Sequence, residues 1–147
     1  MKLVLLTCVL FFFIACNNSG ESSTAVKTKS DTLMEEVLKG HDKAMAKMNK
    51  VNEAKNNIQH VIDSISKLPA DIQKKSLQYR MQLDSTFNRL TFANYAMEKW
   101  MNEFNMDTLK DDKDELVKYL ESEKLKISRV NDIMLNGLQK ADSLLKK

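Results

Sequence analysis

Residues 58–72 read IQHVIDSISKLPADI, and this stretch decides how the chain folds. Ile58, Ile62 and Ile65 follow one another at steps of three and four residues, which places them on one face of a helix. Pro69 is the only proline in the chain. Proline disfavours helix at the residue before it and suits the first position of a new helix. The stretch therefore predicts the end of one helix, a tight turn and the start of a second helix.

The same apolar spacing continues upstream and predicts a first helix that begins near Thr32. Thr32 and Glu35 have the spacing of a capping box, in which each side chain bonds the other residue's backbone N–H. Gly40 lies inside this helix, where glycine costs about 1 kcal/mol relative to alanine, and asparagines crowd residues 49–57. We expect a kink or fraying in this part. The predicted buried face consists of Met34, Leu38, His41, Met45, Met48, Val51, Ala54, Ile58, Ile62 and Ile65.

Two further helices are predicted downstream of Pro69, with a turn at residues 105–110 between them. Acidic residues crowd positions 111–115, where they suit the N-terminal end of a helix dipole. A calcium loop would need spaced oxygens and a glycine turn, so we predict that these acids cap the helix. The second helix has the stripe Ile72, Leu83, Phe87, Leu90, Met97, Met101 and Phe104, flanked by Trp100. The third has the stripe Leu116, Leu120, Ile127, Val130, Met134, Leu138, Ala141 and Leu145.

These patterns predict an all-α fold. Each helix would be about 35 residues long, or about 50 Å at about 1.5 Å per residue. Short turns make neighbouring helices antiparallel, and the apolar spacing is close to that of a coiled coil. We predict an elongated antiparallel three-helix bundle over residues 31–147. The alternative is a helical hairpin that completes its core by dimerising.

The start of the chain has the pattern of a targeting signal. Lys2 precedes an apolar run over residues 3–14, which is the pattern of a secretory signal peptide and is too short to span a bilayer. The Ala15-Cys16 pair that follows resembles the lipobox of bacterial lipoproteins. Residues 1–15 would be the lipoprotein signal peptide, and the resemblance implies that Cys16 is acylated and becomes the first mature residue. The alternatives are processing at Cys8, where the apolar run before the cysteine is too short, and a plain secreted protein.

The residues after the cysteine complete this interpretation. Residues 16–30 would form the lipidated Cys16 and a polar, disordered tether. Bacterial lipoproteins carry several acyl chains, so the resemblance implies a permanent anchor. The predicted location is the bacterial cell envelope, at the outer membrane facing the periplasm. Charged residues make up 29% of the chain and the net charge is +3. Both signs are mixed along the sequence, which argues against a nucleic-acid partner.

Residues 41–48 read HDKAMAKM, and a Trp100-Met101 pair with Phe104 follows downstream. This pattern resembles a group of small lipoproteins from Bacteroidetes-type bacteria that often carry the label "viral A-type inclusion protein". Their motif is His-Asp-x-x-Met-x-Lys-Met, and the resemblance covers residues 33–147. It implies a lipid-anchored helical protein and brings no activity with it.

No catalytic motif is present in the sequence, and we predict a protein that is not an enzyme and needs no cofactor. The methionines suggest one alternative. A turn at residues 68 and 69 would set His41 opposite Met97 and gather most methionines at the end nearest the tether. Thioethers and imidazole together suit Cu(I). The candidate metal ligands are His41, Met45, Met97 and Met101, with Trp100 placed for a cation–π contact.

Two functions therefore remain open from the sequence. The first is a membrane-anchored envelope lipoprotein whose helical domain binds a protein partner or itself. The second is a periplasmic lipoprotein that binds Cu(I) or Ag(I). For the methionines, a flexible apolar core is the plainer interpretation, since methionine fills irregular gaps in cores. A third interpretation is that this end binds a protein partner, since methionine-rich surfaces re-pack around different ligands.

Overall fold

The structure, a computed structural model, describes residues 27–107 and 111–146. The helices in these ranges are α1 (Lys29–Ser66), α2 (Ala70–Lys75), α3 (Leu77–Glu103) and α4 (Lys113–Leu145). No strand occurs in these ranges, so the predicted all-α class is confirmed. The predicted signal peptide, Cys16 and the tether as far as residue 26 lie outside the described residues.

The turn at Pro69 leads into a short helix. Pro69 is the N-cap of α2, and its carbonyl accepts hydrogen bonds from the backbone N–H groups of Ile72 and Gln73, each at 3.0 Å. Ser76 ends α2 after six residues and caps the start of α3. The prediction of one helix from Pro69 to Phe104 is therefore wrong. Because α2 buries no residue, no core contact holds it in line with α3.

The start of α1 differs from the prediction. Thr28 is the N-cap, and its side chain and that of Asp31 form the capping box. The predicted box of Thr32 and Glu35 is wrong, since Thr32 already lies in the first turn and its hydroxyl donates to the Thr28 carbonyl at 3.1 Å. Thr28 and Asp31 have the same three-residue spacing one turn earlier, so the sequence pattern of a capping box is also present at the observed start of α1.

α1 is continuous through Gly40 and through the asparagine-rich segment, so the predicted fraying does not occur. Gly40 lies directly against α4: a Cβ atom built there would be 2.8 Å from Ile127 Cγ2. The Asn131 side chain donates to the Gly40 carbonyl at 2.8 Å. A contact between helices thus stabilises the helix at a residue that disfavours it locally.

The buried face of α1 agrees with the prediction only in its second half. From Val51 onward the predicted residues are buried, whereas upstream the buried face is displaced by one residue. There Leu33, Val37 and Ala44 are buried, while Leu38 and Met45 are exposed to 39% and 42%. The small residues Gly40 and Ala44 let the α1 backbone approach α4 closely, which excludes the larger side chains from this face.

α4 buries five of the eight residues of its predicted stripe, Val130 among them, whereas the second predicted stripe has three buried residues out of seven, Leu90 among them. Ile72 and Met101 are each 37% exposed, so the prediction that they are buried is wrong. Trp100 is only 5% exposed, so it is part of the core and the prediction that it flanks the stripe is wrong. The buried residues of α3 are Leu83, Thr86, Leu90, Ala93, Met97 and Trp100. Those of α4 are Leu120, Glu123, Ile127, Val130, Asn131, Met134, Gly137, Ala141 and Leu144.

The contacts between α1 and α3 run in opposite order along the two helices. The His41 ring lies 5.8 Å from the Trp100 ring, and Lys55 Nζ lies 5.5 Å from the centre of the Phe87 ring. The prediction that His41 faces Met97 is therefore wrong by about one helical turn. The reason is that α2 and Ser76 lengthen the connection beyond a turn at residues 68 and 69.

α4 packs on both of the other long helices. Its contacts with α3 also run in opposite order: Tyr79 donates its hydroxyl to the Leu144 carbonyl at 2.9 Å near one end of the pair. Its contacts with α1 run in the same order: Lys29 pairs with Glu121 and Glu36 with Lys124, each at 2.7 Å, and the Gly40 carbonyl accepts from Asn131 further along both helices. None of the helices in the described ranges combines the length and the apolarity needed to cross a membrane.

A polar network is buried where α1 meets α4. The Asn131 amide nitrogen donates to the carbonyls of Gly40 and Ile127, at 2.8 and 3.0 Å. The amide oxygen of Asn131 accepts from Lys47 Nζ at 3.1 Å. Burial, together with the charge of nearby Lys43, lowers the pKa of Lys47. Buried polar groups that are fully paired in this way fix how two elements pack.

We predict that Gly40→Ala destabilises the protein, although alanine is the better helix former by about 1 kcal/mol. The new Cβ would collide with the stiff side chain of Ile127, and overpacking of a core costs about 1–3 kcal/mol. Urea unfolding measures the loss. In a double-mutant cycle, Ile127→Ala should recover part of it, since that change removes the colliding methyl group. A Gly40→Ala variant more stable than the parent would contradict the close approach.

Candidate functional sites

A stack of aromatic rings joins three helices at the end of the molecule where α3 stops. The Trp100 ring lies between His41, at 5.8 Å, and Phe104, at 4.8 Å. Phe104 in turn stacks on Tyr119 at 6.2 Å. The Tyr119 hydroxyl accepts a hydrogen bond of 2.9 Å from the Asn105 N–H. The stack therefore ties α1, the end of α3 and the start of α4 together.

An open cavity of about 480 Å³ lies beside this stack. His41 contributes the one imidazole in its wall, and Met101 and Met106 contribute two thioethers. Met101 is 37% exposed and Met106, in the turn after α3, is 59% exposed, so both side chains are partly accessible from solvent. We call this cavity the His–Met cavity. Leu38, Trp100 and Phe104 supply the apolar part of its wall.

The ring of His41 is held by its neighbour. His41 Nδ1 lies 3.0 Å from Asp42 Oδ1. An ionised carboxylate only accepts hydrogen bonds, so Nδ1 carries the proton and donates it to Asp42. In neutral imidazole the other nitrogen, Nε2, then has a free lone pair. This is the arrangement in which histidine serves as a metal ligand.

The structure brings together only part of the predicted metal site. His41 and Met101 both line the His–Met cavity, and Met45 and Met97 do not. Met97 has no exposed surface: it lies in the core with other apolar residues, as its place in the apolar stripe predicted. Met106 joins the cavity in their place. Sequence reasoning had placed Met106 at the correct end of the molecule and had not included it among the ligands.

The indole N–H of Trp100 is buried without a hydrogen-bond partner in the described part of the chain. An unpaired buried donor costs about 1–3 kcal/mol. Trp100 also reaches a second cavity on its other side, between α3 and α4.

This second cavity, of about 260 Å³, lies next to two exposed aromatic rings. Phe92 and Tyr95 are 53% and 57% exposed, and their ring centres are 6.4 Å apart. Ala96 and Val130 continue the apolar surface. We call this surface the aromatic groove. Sequence reasoning missed it because Phe92 and Tyr95 fall outside the helical stripe, and exposed aromatic residues carry no periodic signal.

Charged residues at the rim of the aromatic groove are already paired. Lys99 lies 3.5 Å from Glu103. Lys126 donates to the buried carboxylate of Glu123 at 2.6 Å, and this hydrogen bond raises the pKa of Lys126. The groove therefore presents apolar area framed by neutralised charge.

The acidic residues before α4 act as a cap. Asp112 is the N-cap and accepts hydrogen bonds from the N–H groups of Asp114 and Glu115, at 3.1 and 3.0 Å. This confirms the capping interpretation of residues 111–115. Across the described ranges, no three His, Cys, Asp or Glu residues are grouped so that they could hold a metal ion. His60, the other histidine of the chain, is exposed on α1.

Known proteins provide no evidence about what these surfaces bind. No protein-family model, no curated protein and no solved structure matches the chain. The resemblance of residues 41–48 to one group of lipoproteins therefore remains a prediction from the sequence.

Proposed function

We propose that this protein is a bacterial envelope lipoprotein, anchored through an acylated Cys16, whose helical domain binds a protein partner. The anchor is supported by Lys2, the apolar run over residues 3–14 and the Ala15-Cys16 pair. A cysteine placed directly after a short apolar run and a small residue suits processing and acylation better than any role in a fold. The proposed location is the outer membrane, facing the periplasm, and the proposed family is the lipoprotein group that shares the motif of residues 41–48.

The proposed architecture is an elongated antiparallel three-helix bundle, with α2 as a connector between α1 and α3. Its support is the order of the contacts, which runs oppositely in the α1–α3 and α3–α4 pairs. The alternative of a hairpin that dimerises to complete its core has less support, because α4 already buries residues against both α1 and α3. A rod of this shape projects a binding surface away from a membrane.

The observation that carries the binding function is the aromatic groove. Aromatic residues are enriched in protein interfaces and dominate their binding energy. Two neighbouring rings that are each more than half exposed, beside an apolar cavity, are costly to leave in water. The cavity volume of about 260 Å³ suits one large apolar side chain. We propose that the partner is a protein that inserts an apolar side chain between Tyr95 and Val130, and that the groove performs no catalysis.

The anchor is tested by Cys16→Ala. Cells that produce the protein are grown with a clickable fatty acid, and the label on the parent is compared with that on the variant. We expect the variant to lose the label and to remain unprocessed or leave the lipidated pool. Cys8→Ala is the matched control and should keep full labelling. Undiminished label on Cys16→Ala would contradict the anchor.

The groove is tested by a photo-crosslinking amino acid placed at position 95 in producing cells. We expect a specific adduct with another protein, which Phe92→Ala should reduce strongly because it removes half of the aromatic pair. The same crosslinker at Gln59, an exposed position on α1, is the control. An adduct of twice the chain mass would show self-association in place of a separate partner. Equal adducts at both positions would refute a role for the groove.

A further inference from the structure

The His–Met cavity brings residues of two soft-metal ligand types, histidine and methionine, to one open space. Its lining combines His41 with Met101 and Met106, and both methionine side chains are partly exposed to solvent. Asn105 and Asp107 are the other polar residues of the lining. A methionine that serves only as core filling is expected to be buried, as Met97 is. Met101 and Met106 instead border an open space on the side of α3 where His41 and Trp100 lie.

We propose that the His–Met cavity binds a soft monovalent cation, Cu(I) or Ag(I), through His41, Met101 and Met106. Thioether sulfur is a soft ligand that favours Cu(I), and imidazole accommodates the same metal. The divalent metals common in proteins are bound mainly by thiolate, carboxylate and several imidazoles. Asp107 is the one acidic residue in the lining of the cavity, and a hard divalent cation takes several oxygen ligands. The two methionines of the lining therefore favour the soft monovalent class.

The hydrogen bond from His41 to Asp42 makes the imidazole ready for a metal. It fixes the proton on Nδ1, at 3.0 Å from the carboxylate oxygen, and leaves Nε2 as the only ligand atom of the ring. A carboxylate in this position also raises the basicity of the ligand nitrogen. Asp42 is thus a positioning residue, and it need not touch the cation.

Trp100 borders the site, and its fluorescence can report on cation binding. Its ring lies 5.8 Å from the His41 ring and borders the same cavity. An aromatic ring attracts a nearby cation. Trp100 is the only tryptophan in the chain, so any change in tryptophan fluorescence reports on this place alone.

This inference does not depend on the anchor or on the aromatic groove, and it is tested without either. The full-length chain carries Cys8→Ser and Cys16→Ser, because free thiols would bind the metal themselves, and it is kept in detergent. Ag(I) is added as the nitrate while Trp100 fluorescence and the melting temperature are followed. We expect saturable quenching at one Ag(I) per chain and a rise in melting temperature, since a ligand that binds the folded state stabilises it.

Variants assign the ligands. His41→Ala, Met101→Leu and Met106→Leu should each weaken Ag(I) binding at least tenfold. Met→Leu conserves volume and leaves a core or surface position nearly unaffected, so the two methionine variants decide the matter even where His41→Ala unfolds. His60→Ala and Met81→Leu are matched controls far from the cavity and should bind like the parent. Met45→Leu and Met97→Leu should also bind like the parent, because neither residue lines the cavity.

Three outcomes would overturn the site. The first is the absence of saturable quenching and of any thermal stabilisation by Ag(I). The second is parent-like binding by both Met101→Leu and Met106→Leu. The third is a loss of affinity in Met45→Leu, Met97→Leu or the two controls that equals the loss in the cavity variants.

Discussion

The packing of this protein depends on the contact of Gly40 in α1 with Ile127 and Asn131 in α4. A glycine at this point removes the side chain that would otherwise keep the two backbones apart, since a Cβ would be only 2.8 Å from Ile127. The Asn131 amide then reaches the Gly40 carbonyl at 2.8 Å. A slip of one helical turn would bring Glu36 or Ala44 into this place, and either side chain would collide with α4. Steric fit and a buried hydrogen bond therefore select the same register of the two helices.

The proposed metal site follows from the same contact. His41 is the next residue after Gly40, and successive residues in a helix are about 100° apart around its axis. When Gly40 points to α4, His41 is turned toward α3 and its ring lies against Trp100. The aromatic stack then continues through Phe104 to Tyr119 in α4. The constraint that sets the register thus also places an imidazole beside two thioethers at the end of α3.

The apolar pattern of the sequence was sufficient where large apolar residues occupy the buried face. The second half of α1 and most of α4 were predicted correctly for this reason, as was the cap at Asp112. The first half of α1 was displaced by one residue because its buried face contains Gly40 and the partly buried Lys47. The three- and four-residue steps of Val51, Ala54 and Ile58, continued upstream, pass through both of these positions. A prediction that uses only large apolar residues selects the neighbouring methionines, Met45 and Met48, in place of Ala44 and Lys47.

The candidate sites could be predicted from the sequence only in part. His41, Met101 and Trp100 were identified from their residue types and from the predicted turn at residues 68 and 69, and the structure places all three beside one cavity. The prediction that Met97 faces His41 was wrong because the helix break at Ser76 shifts α3 by about one turn relative to α1. The apolar pattern of the sequence gives no sign of that break. The aromatic groove could not be predicted, since it depends on which side of α3 remains uncovered once α4 has packed.

The unfolding free energy of Asn131→Ala, compared with that of Asn136→Ala, tests the central contact most directly. Both changes give the same gain in helix propensity on α4, and Asn136 is exposed, so the difference isolates the buried network. We predict that Asn131→Ala is less stable than Asn136→Ala by about 1–3 kcal/mol, because the hydrogen bonds that join Asn131 to Lys47 and to the Gly40 carbonyl are lost. Lys47 keeps its hydrogen bond of 2.6 Å to the Lys43 carbonyl. Equal stability of the two variants would contradict the account.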